Sequence, residues 1–164
     1  MAAPRKQFAK IYDQFIDKIY RFIFIKVSSR EIAEDLTSET FARVWEVFKH
    51  NSAEIKNIQA FLYQVARNLV TDHYREKARA RFVSAESIQI IDPEVGVEEK
   101  FQLASDLERM RELLASLRED YQSIIIWHYL DGLSIPEIAK MLKKSEDAVK
   151  IQLYRAVRAL REQF

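Results

Sequence analysis

Apolar residues recur at every third or fourth position through most of the 164-residue chain, which is the spacing of one face of an α-helix. In the first half this pattern predicts three helices, over residues 5–27, 29–50 and 58–81. Ser28 is the expected N-cap of the second helix, because Glu31 follows three residues later and completes a capping box. The residues before the third helix, 50–57, break the pattern and are expected to form a loop.

The second half carries four shorter helical patterns, over residues 101–117, 120–130, 135–142 and 146–162. Ser134 and Ser145 are the expected N-caps of the last two helices, and Glu137 completes a capping box with Ser134. A short turn at Lys143–Lys144 joins these two helices. The pair is typical of a helix-turn-helix arrangement.

Residues 82–100 lose the helical period, contain Pro93 and Gly96, and are rich in acidic residues. Irregular stretches of this length are uncommon inside a compact domain, so we expect a flexible acidic linker. The predicted fold is therefore all-α, with two small helical domains over residues 1–81 and 101–164. The sequence leaves the relative placement of the two domains open.

Composition agrees with helices and disfavours several functions. Only 2 glycines and 3 prolines occur, whereas all-β folds need many tight turns. With no cysteine, disulfides and thiolate zinc sites are excluded. The three histidines are scattered and no glycine-rich phosphate loop is present, so we expect no enzyme activity, metal or cofactor. No apolar run approaches the roughly 20 residues of a membrane span, and we expect a soluble cytoplasmic protein without membrane insertion.

The net charge of +1 conceals a strong segregation of charge. Residues 56–81 carry six basic and two acidic side chains, and residues 137–164 carry seven basic and four acidic ones. Residues 31–46 carry five acidic side chains and one basic, and residues 82–108 carry seven acidic and one basic. This asymmetry indicates separate surfaces for separate partners, although ordinary solvated helix faces remain an alternative.

The last helix has the composition of a DNA-reading helix. With Val149, Leu153 and Leu160 facing inward, the residues left on its outer and lateral faces are Lys150, Ile151, Tyr154, Arg155 and Arg158. Lysine and arginine attract phosphates, and the helix N-terminus at Ser145 presents backbone N–H groups to the same charge. The alternative is a plain helical hairpin with a basic solvent face.

The third helix combines basic residues with aromatic ones, which suits unpaired bases. The alternative is that Phe61 and some of the other aromatic residues belong only to the core. Its candidate contacts are Arg67, Asn68, Asp72, Arg75 and Arg79, with Tyr63, Tyr74 and Phe82 among them.

The second helix is acidic. Its candidate docking residues for a basic protein helix are Asp35, Leu36, Ser38 and Glu39. A solvated acidic face with Leu36 in the core is the alternative.

Three segments resemble a known family. AEDLTSETFARVW (33–45) and FLYQVARNLVTDHYREKAR (61–79) resemble region 2 of bacterial sigma factors, and GLSIPEIAKMLKKSEDAVKIQLYRAVRAL (132–160) resembles region 4. The short chain, with no domain between the two, is similar to the extracytoplasmic-function (ECF, group IV) class. The resemblance implies a monomeric promoter-specificity subunit that partners core RNA polymerase, promoter DNA and an anti-sigma factor.

The resemblance also implies roles for individual residues. It places Asp35, Leu36, Ser38 and Glu39 on the clamp helices of the largest polymerase subunit, while region 4 contacts the flap of the second-largest subunit. It places the loop from Ser52 to Asn57 around a flipped base of the −10 element. In that element Asn68 would contact a base, with Arg67, Arg75 and Arg79 near the DNA backbone. In the duplex −35 element, the matching positions are Lys150, Ile151, Gln152, Tyr154 and Arg155, beside Ser145 and Arg158.

The chain departs from the family pattern near the last helix. Lys143 stands where the family often has glycine, and Ala148, Ile151 and Gln152 replace other frequent residues. Ile151 suits a thymine methyl group and Gln152 suits an adenine edge, which predicts a shifted −35 preference.

Two other functions fit parts of the sequence. A free-standing helix-turn-helix regulator would bind a palindromic duplex as a dimer and would need no polymerase. The acidic helix and the Arg67–Asn68 pair argue against this alternative, because neither serves duplex binding. A polymerase-binding decoy without promoter activity is the third possibility.

Overall fold

The computed structural model describes residues 3–83 and 102–163, and within these ranges the chain forms seven α-helices and no strand. The helices are α1 (Pro4–Val27), α2 (Arg30–Asn51), α3 (Ile58–Val83), α4 (Gln102–Leu114), α5 (Glu119–Ile125), α6 (Ile135–Leu142) and α7 (Glu146–Arg161). A 3-10 turn covers Ser52–Glu54, and a π-helical turn covers Ile126–Leu130. The all-α prediction is confirmed.

The α1–α2 junction corrects one predicted cap. Ser28 ends α1 in the left-handed conformation, with φ of 60°, and its N–H donates to the Phe24 carbonyl at 2.9 Å. Ser29 is the N-cap of α2, because its hydroxyl accepts from the Ile32 N–H at 3.2 Å. Because α1 ends with a left-handed residue and Ser28 takes that conformation, the N-cap of α2 falls on the next residue, Ser29.

Helices α1, α2 and α3 pack together and form what we call the N-terminal unit, residues 3–83. Its largest fully buried apolar side chains come from all three helices: Ile19, Phe22, Ile23, Val44, Leu62 and Tyr63. The Asn57 carboxamide oxygen accepts from the Ala60 N–H at 3.0 Å and so caps the start of α3.

Helices α4 to α7 form the C-terminal unit, residues 102–163, and its first two helices are shorter than the sequence predicts. Helix α4 ends at Leu114 rather than at residue 117, since the Gln122 amide reaches back to the Leu114 carbonyl at 2.8 Å. Helix α5 ends at Ile125 and widens into the π-helical turn, where the Asp131 N–H donates to the Ile126 carbonyl at 2.9 Å. A period of 3.6 residues does not distinguish such a turn from a continuing α-helix.

The helix-turn-helix agrees with the sequence in detail. Ser134 and Glu137 exchange both capping-box hydrogen bonds, at 3.2 and 2.8 Å. Lys143 turns the chain in the left-handed region with φ of 59°, and Ser145 caps α7 by accepting from the Ala148 N–H at 3.1 Å. Val149, Leu153 and Ala156 form the buried stripe of α7.

The two units touch each other, α1 packing beside α4 and α3 beside α6. Residues 84–101 lie outside the described part of the chain, so the acidic linker and its boundaries stay predictions. None of the helices in the described ranges is long and apolar enough to cross a membrane.

Candidate nucleic-acid interface

The outer face of α7 carries two large apolar side chains in water. Tyr154 is 67% exposed and Ile151 is 52% exposed, whereas Val149, Leu153 and Ala156 of the same helix are buried. Lys150, Arg155 and Arg158 are exposed beside them. The outward set predicted from the sequence therefore lies together on one helix, with cations around an apolar centre. This combination suits base edges flanked by phosphates.

Gln152 occupies a different position from the other candidates on α7. It is half-buried, its amide nitrogen donates to the Asp120 carboxylate at 3.3 Å, and its amide oxygen accepts from Lys144 at 3.4 Å. Its side chain thus lies against α5 in this structure. Lys144, which contacts Gln152, was not among the residues predicted to contact DNA. It lies in the turn before α7, where helical periodicity does not apply and therefore could not indicate it.

The Ser145 hydroxyl is engaged in capping, and Glu146 and Asp147 follow in the first turn of α7. These two carboxylates already complement the positive end of the helix dipole. The start of α7 is therefore less open to phosphate than its middle, where the cations lie.

The basic face of α3 is divided between solvent and the C-terminal unit. Asn68, Arg75 and Arg79 are exposed, and Arg75 lies 3.8 Å from the Asp72 carboxylate. Arg67 is half-buried, with its guanidinium carbon 5.9 Å from the centre of the Trp127 ring.

The aromatic residues of α3 differ from the sequence expectation. Tyr63 is fully buried, so in this structure it offers no ring to a base. Tyr74 is 43% exposed, but its hydroxyl donates to the Lys26 carbonyl, and burial raises the pKa of that hydroxyl. Burial also lowers the pKa of His73, and the neighbouring Lys77 acts in the same direction. The side chain of Phe82 lies outside the described set.

The segment before α3, residues 52–57, is a short and mostly exposed loop. Ser52 opens the 3-10 turn and is exposed, while Asn57 is exposed and caps α3. Between them Ile55 is half-buried and its N–H donates to the Ser52 carbonyl at 3.1 Å. Ser52 thus begins the hydrogen-bonded turn, and Asn57 lies two residues beyond Ile55, at the start of α3.

The acidic surface of α2 is accessible. Asp35, Ser38 and Glu39 are exposed, and the Glu39 carboxylate pairs with Arg43 at 3.0 Å. Leu36 is half-buried and packs against the core, with part of its side chain left in water. The surface is therefore acidic with an apolar component.

A groove that the sequence did not reveal borders this acidic surface. It has a volume of about 480 Å³ and runs between α1 and α2, lined by Phe8, Tyr12, Phe41 and Trp45 among others. Ala42 also lines the groove and follows Ser38 by four residues, which places both on one side of α2. Helical periodicity predicts that such aromatic residues belong to the core. It does not show that α1 and α2 leave an open groove between these side chains.

The described residues hold no group of three or more His, Cys, Asp or Glu side chains placed to bind a metal ion. The arrangement instead presents charged and aromatic surfaces on three helices.

Two family models match the chain. Sigma-70 region 2 matches residues 11–80, which contain all of α2 and most of α1 and α3. Sigma-70 region 4 matches residues 107–160.

Two solved structures share the fold. The sigma factor RpoE in complex with the anti-sigma factor NepR from Bartonella quintana superposes with a TM-score of 0.73 at 23% identity, over 96% of both chains. CnrH in complex with the cytosolic domain of CnrY gives 0.72 at 18% identity, over 97% of this chain and 88% of that one.

Curated relatives agree with the family models. The ECF RNA polymerase sigma factor BldN of Streptomyces coelicolor is 35% identical over 164 residues, covering 97% of this chain and 61% of BldN. The ECF RNA polymerase sigma factor SigL of Mycobacterium tuberculosis is 31% identical over 160 residues, covering 98% of this chain and 90% of SigL. The chain thus spans less than two thirds of BldN and nearly all of SigL. Since both sigma-70 regions are present in order, the chain belongs to the sigma-70 family, among the ECF RNA polymerase sigma factors.

Proposed function

We propose that this chain binds core RNA polymerase and directs it to promoters through two DNA-binding surfaces, performing no chemistry of its own. The observation that carries the proposal is the outward face of α7, where Ile151 and Tyr154 are exposed among cations on a capped helix-turn-helix. The acidic surface of α2 on the same chain provides the polymerase contact.

The α7 surface suits the duplex −35 element. A recognition helix enters the major groove with apolar contacts for thymine methyl groups and hydrogen-bonding groups for purine edges. Ile151 supplies the first kind of contact, and Lys150, Arg155 and Arg158 supply charge for phosphates. Tyr154 is exposed at the centre of this face.

The α3 surface suits melted DNA of the −10 element. Asn68, with two hydrogen-bond donors and one acceptor carbonyl, is exposed beside the cations Arg75 and Arg79. The turn from Ser52 to Asn57 lies at the start of α3, the helix that carries Asn68. A flipped base is held by hydrogen bonds to its edge in a confined pocket, so we assign this turn to base capture.

The acidic surface of α2 suits a basic helix of the polymerase clamp. Asp35 and Glu39 are exposed four residues apart on one side of the helix, with Leu36 between them. The C-terminal unit would contact the flap of the second-largest subunit. RpoE is seen in complex with the anti-sigma factor NepR, and we propose a partner of the same class for this chain.

The test measures binding of the chain to core RNA polymerase. The double variant Asp35→Lys, Glu39→Lys should lose binding, since both carboxylates face the proposed partner. The matched control is Glu112→Lys, Glu162→Lys, which changes two exposed carboxylates of the C-terminal unit by the same charge. Equal loss in both variants would indicate a general charge effect, and unchanged binding in the first would remove α2 from the interface.

A further inference from the structure

The side chain of Gln152 is held between two charged groups. Its amide nitrogen donates to the Asp120 carboxylate of α5 at 3.3 Å, and its amide oxygen accepts from the Lys144 ammonium at 3.4 Å. The first hydrogen bond is partly buried, whereas the second lies at the surface. All three residues belong to the C-terminal unit, so this unit forms the arrangement by itself.

The two charges determine which end of the amide points to which partner. A carboxylate only accepts hydrogen bonds, and a lysine ammonium only donates them. If the amide turned over, its oxygen would face the Asp120 carboxylate and its NH2 group would face the Lys144 ammonium, so both hydrogen bonds would be lost. Hydrogen bonds to ionised groups are also stronger than those between neutral groups. Gln152 therefore has one preferred orientation in the free chain.

The Asp120 carboxylate is itself held in place. The oxygen that accepts from Gln152 also accepts from the Arg118 guanidinium at 2.8 Å. The guanidinium carbon lies 4.6 Å from the centre of the Tyr121 ring, within the reach of a cation–π contact. Asp120 is in the first turn of α5, where the helix dipole favours a carboxylate. Ring, guanidinium, carboxylate and amide thus form a chain of contacts that ends on α7.

The held amide keeps the hydrogen-bonding groups that an adenine edge requires. A glutamine amide has two N–H donors and two acceptor sites on its oxygen. Asp120 takes one donor and Lys144 takes one acceptor site, so one of each remains. In the major groove, adenine presents the N7 acceptor and the N6 amino donor, which pair with one amide donor and one amide acceptor. Gln152 follows Ile151 directly and precedes Arg155 by three residues, so it borders the exposed face of α7.

We propose that Asp120 and Lys144 are positioning residues for base readout, which hold the Gln152 amide in the orientation that pairs with an adenine of the −35 element. This role rests on the proposed promoter function and adds a source of specificity at one base pair. An amide that turns freely can offer a donor or an acceptor to several base edges, whereas a held amide matches one arrangement. Neither Asp120 nor Lys144 was predicted to contact DNA.

The contact itself is tested in the free, isotope-labelled chain by NMR. The side-chain amide signal of Gln152 is assigned by its disappearance in Gln152→Ala. In the parent chain the amide proton bound to Asp120 should resonate downfield of ordinary glutamine amide protons, and in Asp120→Ala it should return to their range. Asp147→Ala, which removes an exposed carboxylate from the first turn of α7, is the matched control and should leave the signal in place. A Gln152 signal that is unchanged by Asp120→Ala would overturn the proposal.

Promoter binding tests the consequence for specificity. The holoenzyme formed with each variant is titrated with −35 elements that differ at single base pairs, which gives the affinity ratio between the preferred base pair and its substitutes at each position. The position contacted by Gln152 is the one at which Gln152→Ala removes the preference, and in the parent this ratio should be about 5- to 150-fold. Asp120→Ala and Lys144→Ala should each lower it about threefold or more and leave the ratios at other positions unchanged.

Two controls separate positioning from a general effect of charge or stability. Lys143→Ala removes the same charge from the neighbouring exposed residue of the turn, so it should weaken binding to all sequences without changing any ratio. In the Gln152→Ala background, Asp120→Ala should have no further effect on the ratios, because the group that it positions is absent. If Asp120→Ala lowers the helical circular dichroism, Lys144→Ala decides, since Lys144 is exposed in a turn and lies outside the helices.

The failure of the positioning role is distinguishable from the failure of the promoter function. If the parent discriminates among −35 elements but the folded Asp120→Ala and Lys144→Ala variants keep its ratios, or lower the ratios equally at every position, the positioning role is overturned and promoter recognition stands. A parent holoenzyme without preference at any −35 position would contradict the proposed function and, with it, the positioning role.

Discussion

Stability alone does not explain the placement of Ile151 and Tyr154. Burial of side chains of this size contributes about 1.5–3 kcal/mol, yet both are more than half exposed on a helix with a well-formed buried stripe. Their neighbours Lys150 and Arg155 are cationic and exposed. A duplex DNA partner accounts for apolar and cationic groups side by side.

Exchange of Ile151 and Gln152 should change promoter choice. The double variant Ile151→Gln, Gln152→Ile moves the apolar group and the amide by one position. The preferred base pairs of the −35 element should therefore change, and the binding free energy that separates the preferred from the other base pairs should change by about 1–3 kcal/mol at each contacted position. Holoenzyme affinity for a panel of −35 variants measures this. Lys150→Ala should instead weaken all panel members equally and reduce the salt slope by about 1. An unchanged preference after the exchange would sink the proposed base contacts.

The pairing of Lys26 with Glu119 predicts a pH dependence. Burial lowers the pKa of Lys26. Burial raises the pKa of the Glu119 carboxyl, but the charge of Lys26 and the hydrogen bonds from Lys26 and Ser123 outweigh burial, so this pKa lies below its ordinary value of 4.5. The stabilisation from Glu119 is therefore complete above pH 4.5 and is lost as the pH falls through the lowered pKa.

Chemical unfolding at a series of pH values checks this dependence. Glu119→Gln should be less stable than the parent at neutral pH, and the difference should shrink in acid. Glu112→Gln, at an exposed site on α4, is the control and should follow the parent profile. A constant difference between Glu119→Gln and the parent at every pH would contradict the pairing.

At the scale of elements, the helix-turn-helix depends on a turn with an unfavourable residue. Lys143 adopts φ of 59°, a region that costs a side-chain-bearing residue about 1–2 kcal/mol and costs glycine almost nothing. The cap is nevertheless complete, since the Lys144 N–H donates to the Ala139 carbonyl at 3.0 Å. Hydrogen bonds of the neighbouring residues therefore stabilise this turn, although the conformation of Lys143 itself is unfavourable.

Lys143→Gly should raise the free energy of unfolding by up to about 1 kcal/mol, because relief of the left-handed strain exceeds the entropy that glycine adds to the unfolded chain. Denaturant unfolding measures the change. Lys143→Ala removes the same charge and retains the strain, so it should give no such gain. A gain from alanine equal to that from glycine would assign the effect to charge.

Asn57 links helix α3 to the proposed −10 contact. Asn57→Ala removes the cap on the Ala60 N–H and should cost about 1 kcal/mol of stability. Asn57→Ser keeps a capping oxygen and should retain stability, yet it lacks the amide. If the amide contacts a flipped base, both variants should lose promoter melting, as followed by permanganate reactivity of unpaired thymines. Full melting by Asn57→Ser would restrict Asn57 to capping.

The features that the sequence predicted correctly are those that depend on residues close together along the chain. The capping box of Ser134 and Glu137, the N-cap at Ser145 and the buried stripe of α7 depend on residues three to seven positions apart, and the structure confirmed all three. The predicted cap at Ser28 was one residue early, because the left-handed exit from α1 is not encoded by a glycine. The assignments to polymerase and promoter DNA remain predictions.

At the scale of the whole molecule, the contacts between units were beyond local patterns. Asp131 precedes a glycine and has the sequence signature of an exposed turn, yet its side chain is fully buried. Tyr63 lies among basic residues and was expected to meet bases, yet it donates to that carboxylate. Their partners are more than 60 residues away along the chain, so no periodicity within one helix reveals them.

Run-off transcription tests the central claim most directly. The purified chain is added to core RNA polymerase with a library of genomic fragments, and the start sites are mapped. We expect initiation that core polymerase alone does not give, at starts that share two conserved blocks, one for α3 and one for α7. Stable binding to the core without any new initiation, or starts that share no upstream block, would contradict promoter recognition by this chain.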